Sequence, residues 1–307
     1  MIWLIGCNGM LGTEVSRQLK ENNIDFVGTD REVDFTDSNA VETFAAGKTI
    51  NFIINCAAYT AVDNAESDVE FCRKLNAKGP EVIAKFAEKT GATILHISTD
   101  YVFDGSGNTP RTEDMSIAPI GVYGVTKAEG EKAISDNASK YYILRTAWLY
   151  GWAGKNFVYT MIRAMNTHDA VKVVNDQKGT PTFAGDLAKV IIEIIRKDGS
   201  VPYGIYHCTD LGEITWWDFT NEIKKQAIEA GYLQPRHPEL VSGVPSESYC
   251  VVNPCTTAEY PTPAKRPAYS VLCKDKIQNA LGINLPDWKD SLRVFLNSPN
   301  FDSTRIQ

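Results

Sequence analysis

Apolar residues recur through the first half of the chain in short β-rich runs, at residues 2–5, 26–29, 50–55, 93–98 and 141–146. Between them, segments 11–22, 80–90 and 127–137 carry helical spacing or helical charge patterning, and Thr90-Gly91 supplies a helix stop. Strands alternating with helices predict βαβ units, whose right-handed crossovers build an α/β, doubly wound parallel sheet. Ligands of such sheets sit beyond the carboxyl ends of the strands. After about residue 150 the pattern is less regular. It predicts a strand at 171–174, a helix at 186–196, a strand at 205–209 and a helix opening at Thr215, where Thr215-x-x-Asp218 resembles a capping box with Asp in the usual Glu position. Residues 233–263 are rich in Pro, Ser and Thr and predict loop on the surface of a smaller second domain. The expected division is a sheet domain at 1–150 and a C-terminal domain mainly at 151–307, with segments near 184–210 as candidates to return to the sheet.

Glycine and charge give that sheet a candidate ligand. Gly6-Cys7-Asn8-Gly9-Met10-Leu11-Gly12 joins the first strand to the first helix with G-x-x-G-x-x-G spacing, which permits a tight turn and close approach of backbone to a pyrophosphate. The second strand ends at Asp30, eighteen residues past Gly12, where a carboxylate would accept the adenosine ribose hydroxyls of NADH. Arg31 follows and could hold the 2′-phosphate of NADPH, so both dinucleotides stay open. Further on, Tyr123-Gly124-Val125-Thr126-Lys127 puts a phenol and an ammonium four residues apart on one expected helix face, a spacing at which the positive charge lowers the phenol pKa. Ser98-Thr99-Asp100 closes the fourth strand on the side where the glycine loop opens, and a hydroxyl there can bond a substrate carbonyl.

Composition narrows the partners. With 31 basic against 38 acidic residues the net charge is −7, which gives no general electrostatic reason to bind nucleic acid or an anionic membrane. An anionic small substrate then needs local cations, for which Lys265-Arg266 is the candidate pair. No run approaches the roughly 18 apolar residues of a membrane span. The start Met1-Ile2-Trp3-Leu4-Ile5 reads as a strand rather than a signal peptide, and seven cysteines without a close C-x-x-C pair fit a reducing compartment, so a cytoplasmic location is expected. The four histidines show no metal-ligand spacing, and no metal site is assigned.

These motifs, with Asn55-Cys56-Ala57-Ala58-Tyr59-Thr60-Ala61-Val62-Asp63, Ser98-Thr99-Asp100-Tyr101-Val102-Phe103-Asp104-Gly105, Arg145-Thr146-Ala147-Trp148, Gly179-Thr180-Pro181-Thr182 and Lys265-Arg266-Pro267-Ala268-Tyr269-Ser270, carry a resemblance over nearly the whole chain. The sequence resembles the extended short-chain dehydrogenase/reductases and, within them, the dTDP-4-dehydrorhamnose reductase family. The resemblance implies an NAD(P)-binding Rossmann domain with a smaller substrate-binding domain. It also implies reduction of dTDP-4-dehydro-6-deoxy-L-mannose to dTDP-L-rhamnose with NADPH or NADH. Cofactor positions then fall on Gly6, Asn8, Gly9, Met10, Leu11, Gly12 and Asp30, on Asp34 and Phe35 at the adenine, on Cys56, Ala57, Ala58, Tyr59 and Thr60 toward the nicotinamide, and on Tyr123 and Lys127. The implied catalytic group is Thr99, Tyr123 and Lys127, and the implied contacts to the dTDP-linked 6-deoxy-4-ketohexose are Thr99, Asp100, Trp148, Thr182 and Arg266. Trp148 offers an indole face to a sugar ring, while Asn76 and Gly79 are read as packing residues. Some relatives are magnesium-dependent dimers with interface glutamates. Glu14 alone could match one, so a homodimer stays open and no metal is entered. The rival readings are a reductase or epimerase for another nucleotide sugar, and a non-catalytic regulatory subunit of the same fold, such as that of methionine adenosyltransferase.

Overall fold

The apolar runs at 2–5, 52–55, 93–99 and 141–146 become strands buried between layers of helices, and the half-buried run at 26–29 forms an edge strand. The structure is a computed structural model that describes residues 1–235, 237–241 and 244–306. Its main sheet contains β1 (Ile2–Ile5), β2 (Phe26–Thr29), β3 (Phe52–Asn55), β4 (Thr93–Thr99), β5 (Tyr141–Thr146) and β6 (Gly204–His207). Their spatial order is β6-β5-β4-β3-β1-β2, all parallel. The chain starts at β1, moves outward to β2 and then crosses to β3 on the other side of β1, so the strand order reverses between β1 and β3. That reversal opens a crevice at their carboxyl ends.

Side chains alternate across β1 as strand geometry requires. Ile2 and Leu4 face a core shared with α1 (Met10–Glu21) and α4 (Ala184–Arg196), whereas Trp3 and Ile5 face the core under α2 (Gly79–Thr90) and α3 (Val122–Asn137). The α4 helix and β6 both come from the second half of the chain. Gln18 Nε2 on α1 donates to Gly185 O at 2.8 Å, joining the two halves on one face of the sheet. A third, aromatic-rich core, including Tyr150, Phe183, Phe219, Trp288 and Phe295, gathers segments from 150 to 306 beside the sheet.

α3 starts at Val122, with Gly121 as its N-cap, and carries Tyr123 and Lys127 on one helix as their spacing requires. One expectation is corrected. Residues 233–263 are not all loop: His237–Val241 pairs antiparallel with Val244–Ser248, and Val251–Cys255 pairs parallel with Ala170–Val174. Prolines 238, 245 and 254 masked these strands, and each falls in a two-stranded sheet where an edge position tolerates a missing N–H. The capping box at Thr215 forms, with Thr215 N donating to Asp218 Oδ2 at 2.9 Å and Asp218 N to Thr215 Oγ1 at 3.1 Å, and it opens α5 (Trp216–Glu229). Among the described residues no helix is long and apolar enough to cross a membrane.

Candidate active site

A cleft of about 1030 Å³ opens at the carboxyl ends of β1, β3 and β4. One wall is backbone. Gly6, at φ +77°, turns the chain out of β1, and the Gly6 and Cys7 N–H groups both donate to Thr29 O at 2.7 and 3.0 Å, tying the loop to the end of β2. Gly12 stands behind the loop in the first turn of α1. A Cβ there would lie 2.0 Å from Gly6 O, so only glycine lets the helix start this close to the turn. Gly6, Asn8, Gly9, Met10 and Leu11 line the cleft, as do Asp30, Asp34 and Phe35. The Asp30 N–H donates to Glu32 at 2.8 Å, while the Asp34 carboxylate accepts from the Thr36 hydroxyl at 2.5 Å, from Thr36 N at 3.0 Å and from Lys74 at 3.1 Å, bonds that hold its pKa below the usual value. These residues form a cradle for a dinucleotide: a glycine turn at a helix N-terminus, and a carboxylate at the end of the second strand.

From β3 the wall continues through Cys56, Ala57, Ala58 and Thr60, which line the cleft, with Tyr59 behind them. The loop is held by Asn76, which does more than the packing expected of it. Its Oδ1 accepts from Tyr59 N at 2.8 Å and its Nδ2 donates to Tyr59 O at 3.1 Å. Burial pushes the Cys56 thiol up to about 12, which keeps it protonated.

Thr99, Tyr123 and Lys127 all line the cleft. β4 delivers Thr99 at its last position, and α3 presents Tyr123 and Lys127 one turn apart. Ser98 and Thr99 divide as strand alternation requires. Ser98 Oγ donates to the buried Glu131, which Arg145 also holds, and Thr99 Oγ1 donates to Asp100 Oδ1 at 2.9 Å. Burial raises the Tyr123 phenol above its usual value, opposed chiefly by a hydrogen bond with Thr99. This corrects the expected effect of the lysine: Lys127 Nζ turns to the end of β4, donating to Ile97 O at 2.6 Å and standing 3.1 Å from His96 Nε2. Burial pulls Lys127 down to about 8 and pushes Asp100, which is 2 % exposed, up to about 6.

The opposite wall is made of side chains. Trp148 lies in the left-handed region at φ 48° and stacks on Trp216 with ring centroids 3.6 Å apart and planes 13° from parallel. A methyl at Gly179 would stand 2.6 Å from Trp148 Cε2. One indole face is therefore already covered by Trp216, and the expected open platform becomes a double-tryptophan wall. Trp216 escaped the sequence reading because its partner lies far away in the chain; its only signal is the pair Trp216-Trp217 opening a capped helix. Lys155 also lines the cleft, and no sequence motif marks it.

Two expected substrate contacts stand apart from the cleft lining. Thr182 is buried, donating to Ala147 O at 2.6 Å, and supports the Trp148 segment from behind. Arg266 Nη1 and Nη2 donate to the two Asp63 oxygens at 3.1 and 2.8 Å, so its charge is matched within the protein. Glu14 is buried against Arg17 and Gln18, and among the described residues no cluster of three or more His, Cys, Asp or Glu could hold a metal ion.

A family model described as the RmlD substrate binding domain matches residues 1–300. The chain is 40% identical to the dTDP-4-dehydrorhamnose reductase of Aggregatibacter actinomycetemcomitans, over 94% of this chain and 96% of the relative. It is also 40% identical to a probable dTDP-4,6-dihydroxy-2-methyloxan-3-one 4-ketoreductase of Streptomyces antibioticus, over 95% and 94%. Among solved structures, dTDP-4-dehydrorhamnose reductase of Bacillus anthracis in complex with NADP superposes with a TM-score of 0.85 at 33% identity, covering 96% of this chain and 97% of that one. With the glycine cradle, the carboxylate after β2 and the threonine, tyrosine and lysine in one cleft, this near full-length agreement places the chain in the dTDP-4-dehydrorhamnose reductase family.

Proposed function

We propose that the protein is an NAD(P)H-dependent oxidoreductase that reduces the C4 keto group of dTDP-4-dehydro-6-deoxy-L-mannose to give dTDP-L-rhamnose. The observation that carries this reading is the meeting of Thr99, Tyr123 and Lys127 in the cleft that the glycine loop also lines. A reduced nicotinamide bound along the backbone wall would supply hydride. Tyr123, kept protonated by burial, donates its phenolic proton to the oxygen that becomes the C4 hydroxyl. The Thr99 hydroxyl, beside the phenol, orients that oxygen by turning its one proton from Asp100 to it. Lys127 supports the nicotinamide ribose from the floor of the cleft.

On the sugar side, the wall of Trp148 and Trp216 contacts the hexose, with the aromatic second core as the substrate-binding body behind it. Because Arg266 is paired with Asp63, Lys155 is the better-placed cation for the substrate diphosphate. The acidic net charge and reduced thiols fit a cytoplasmic enzyme whose partner is a nucleotide sugar rather than nucleic acid.

The test is oxidation of NADPH and of NADH with substrate generated by the preceding dehydratase and epimerase. Turnover only when both upstream enzymes are present supports the reading, and the ratio of rates sets the cofactor. The Streptomyces relative favours one second reading, a different dTDP-linked 4-ketohexose; faster turnover of such a sugar would shift the assignment to it. Dinucleotide binding without any turnover would point to a regulatory subunit.

A further inference from the structure

Asn55 ends β3 and His96 stands beside it in register on β4. Both are fully buried and Lys127 is 1 % exposed, so no solvent mediates between them. The three are linked in a line whose donors and acceptors can be counted. Asn55 Oδ1 accepts from Ala57 N at 3.0 Å, which leaves Nδ2 facing His96 Nδ1, also at 3.0 Å. Nδ2 can only donate, so Nδ1 must accept, and a neutral ring then carries its proton on Nε2. Nε2 lies 3.1 Å from Lys127 Nζ, and Nζ already donates to Ile97 O at 2.6 Å. An ammonium would set two donors face to face, and turning the Asn55 amide over would only move the conflict to Ala57 N.

We propose that Asn55 and His96 are positioning residues that fix His96 as the Nε2–H tautomer and thereby favour the neutral amine of Lys127 over its ammonium in the ligand-free enzyme. The chain of bonds runs from Ala57, in the loop at the nicotinamide end, to Lys127. Burial acts most strongly on Lys127 and opposes the ammonium, Glu131 on its own helix favours it, and the Cys56 and Cys72 thiols of neighbouring segments, both raised by burial, face it protonated. His96 feels burial and Lys127, both of which keep the ring neutral. The inference rests on the reading of this cleft as the active site, but it is tested by protonation state rather than turnover.

The experiment is long-range ¹H–¹⁵N NMR of the ligand-free protein labelled in histidine, with the His96 ring assigned by its loss in His96→Gln. The expected result is the Nε2–H tautomer at neutral pH. In Asn55→Asp the carboxylate accepts from both Ala57 N and Nδ1–H, so the ring should switch to Nδ1–H. The fall of kcat on the alkaline side should then move up by about one pH unit, as Nε2 becomes an acceptor for the ammonium. An Nδ1–H or doubly protonated ring in the wild type overturns the proposal, as does a tautomer that Asn55→Asp leaves unchanged. Absence of turnover with the Nε2–H tautomer present would count against the proposed reaction and not against this device.

Discussion

The two walls of the cleft are built by different means. The wall proposed for the dinucleotide is main chain, shaped by where glycines let the backbone turn and approach, and anchored to β2 and to Asn76. The wall proposed for the sugar is a stack of side chains, Trp148 on Trp216, brought together from separate segments over an aromatic core. A wall of backbone recognises what every dinucleotide shares, and it changes only by deforming the sheet's own turns. A wall of side chains can be rebuilt one residue at a time without touching the sheet. Ligand identity on the sugar side is therefore where members of such a family can diverge.

The contrast can be broken at several points. Tyr123 stands between the walls and should belong to neither: Tyr123→Phe is expected to lower kcat by about 10²–10⁴-fold with dinucleotide affinity retained, measured by turnover and calorimetry. Gly12→Ala attacks the backbone wall. The contact of 2.0 Å with Gly6 O must be relieved by moving the loop, at a cost of about 1–3 kcal/mol, so dinucleotide Kd should rise by up to about 100-fold. Trp216→Ala attacks the other wall by unstacking Trp148; loss of about 1 kcal/mol of aromatic contact predicts a KM for the nucleotide sugar about fivefold higher and an unchanged dinucleotide Kd. The smallest effect is on pH. Asp100, raised to about 6, takes up a proton as pH falls through that value and becomes a weaker acceptor. The sugar KM should then rise about fivefold below it, a dependence that Asp100→Asn removes. Equal changes in dinucleotide and sugar binding in the Gly12 and Trp216 variants would show that the walls are not separate.

The same division governs what could be read from the sequence. The strands at 2–5 and 141–146 were legible because a parallel sheet buries both faces and writes continuous apolar runs. The glycine loop was legible because the backbone conformation it needs restricts residue type. Features that depend on distant partners left no such trace. Trp216 has no periodic signal pointing to Trp148, and Arg266 is diverted by Asp63, 203 residues away in sequence. Spacing correctly put Tyr123 and Lys127 on one helix, but the direction of the lysine is decided by His96 and Ile97 O on β4, which helical geometry alone does not reveal.

The central claim is that one cleft brings the C4 oxygen of the sugar to Tyr123 and Thr99, with the dinucleotide on the glycine wall and the hexose on the tryptophan wall. A crystal structure with NADP and dTDP-L-rhamnose tests it most directly. The account predicts the C4 hydroxyl at about 2.5–3.0 Å from both Tyr123 Oη and Thr99 Oγ1, with the sugar ring against the Trp148–Trp216 stack. A sugar whose C4 points away from both hydroxyls, or one bound outside this cleft, would contradict it.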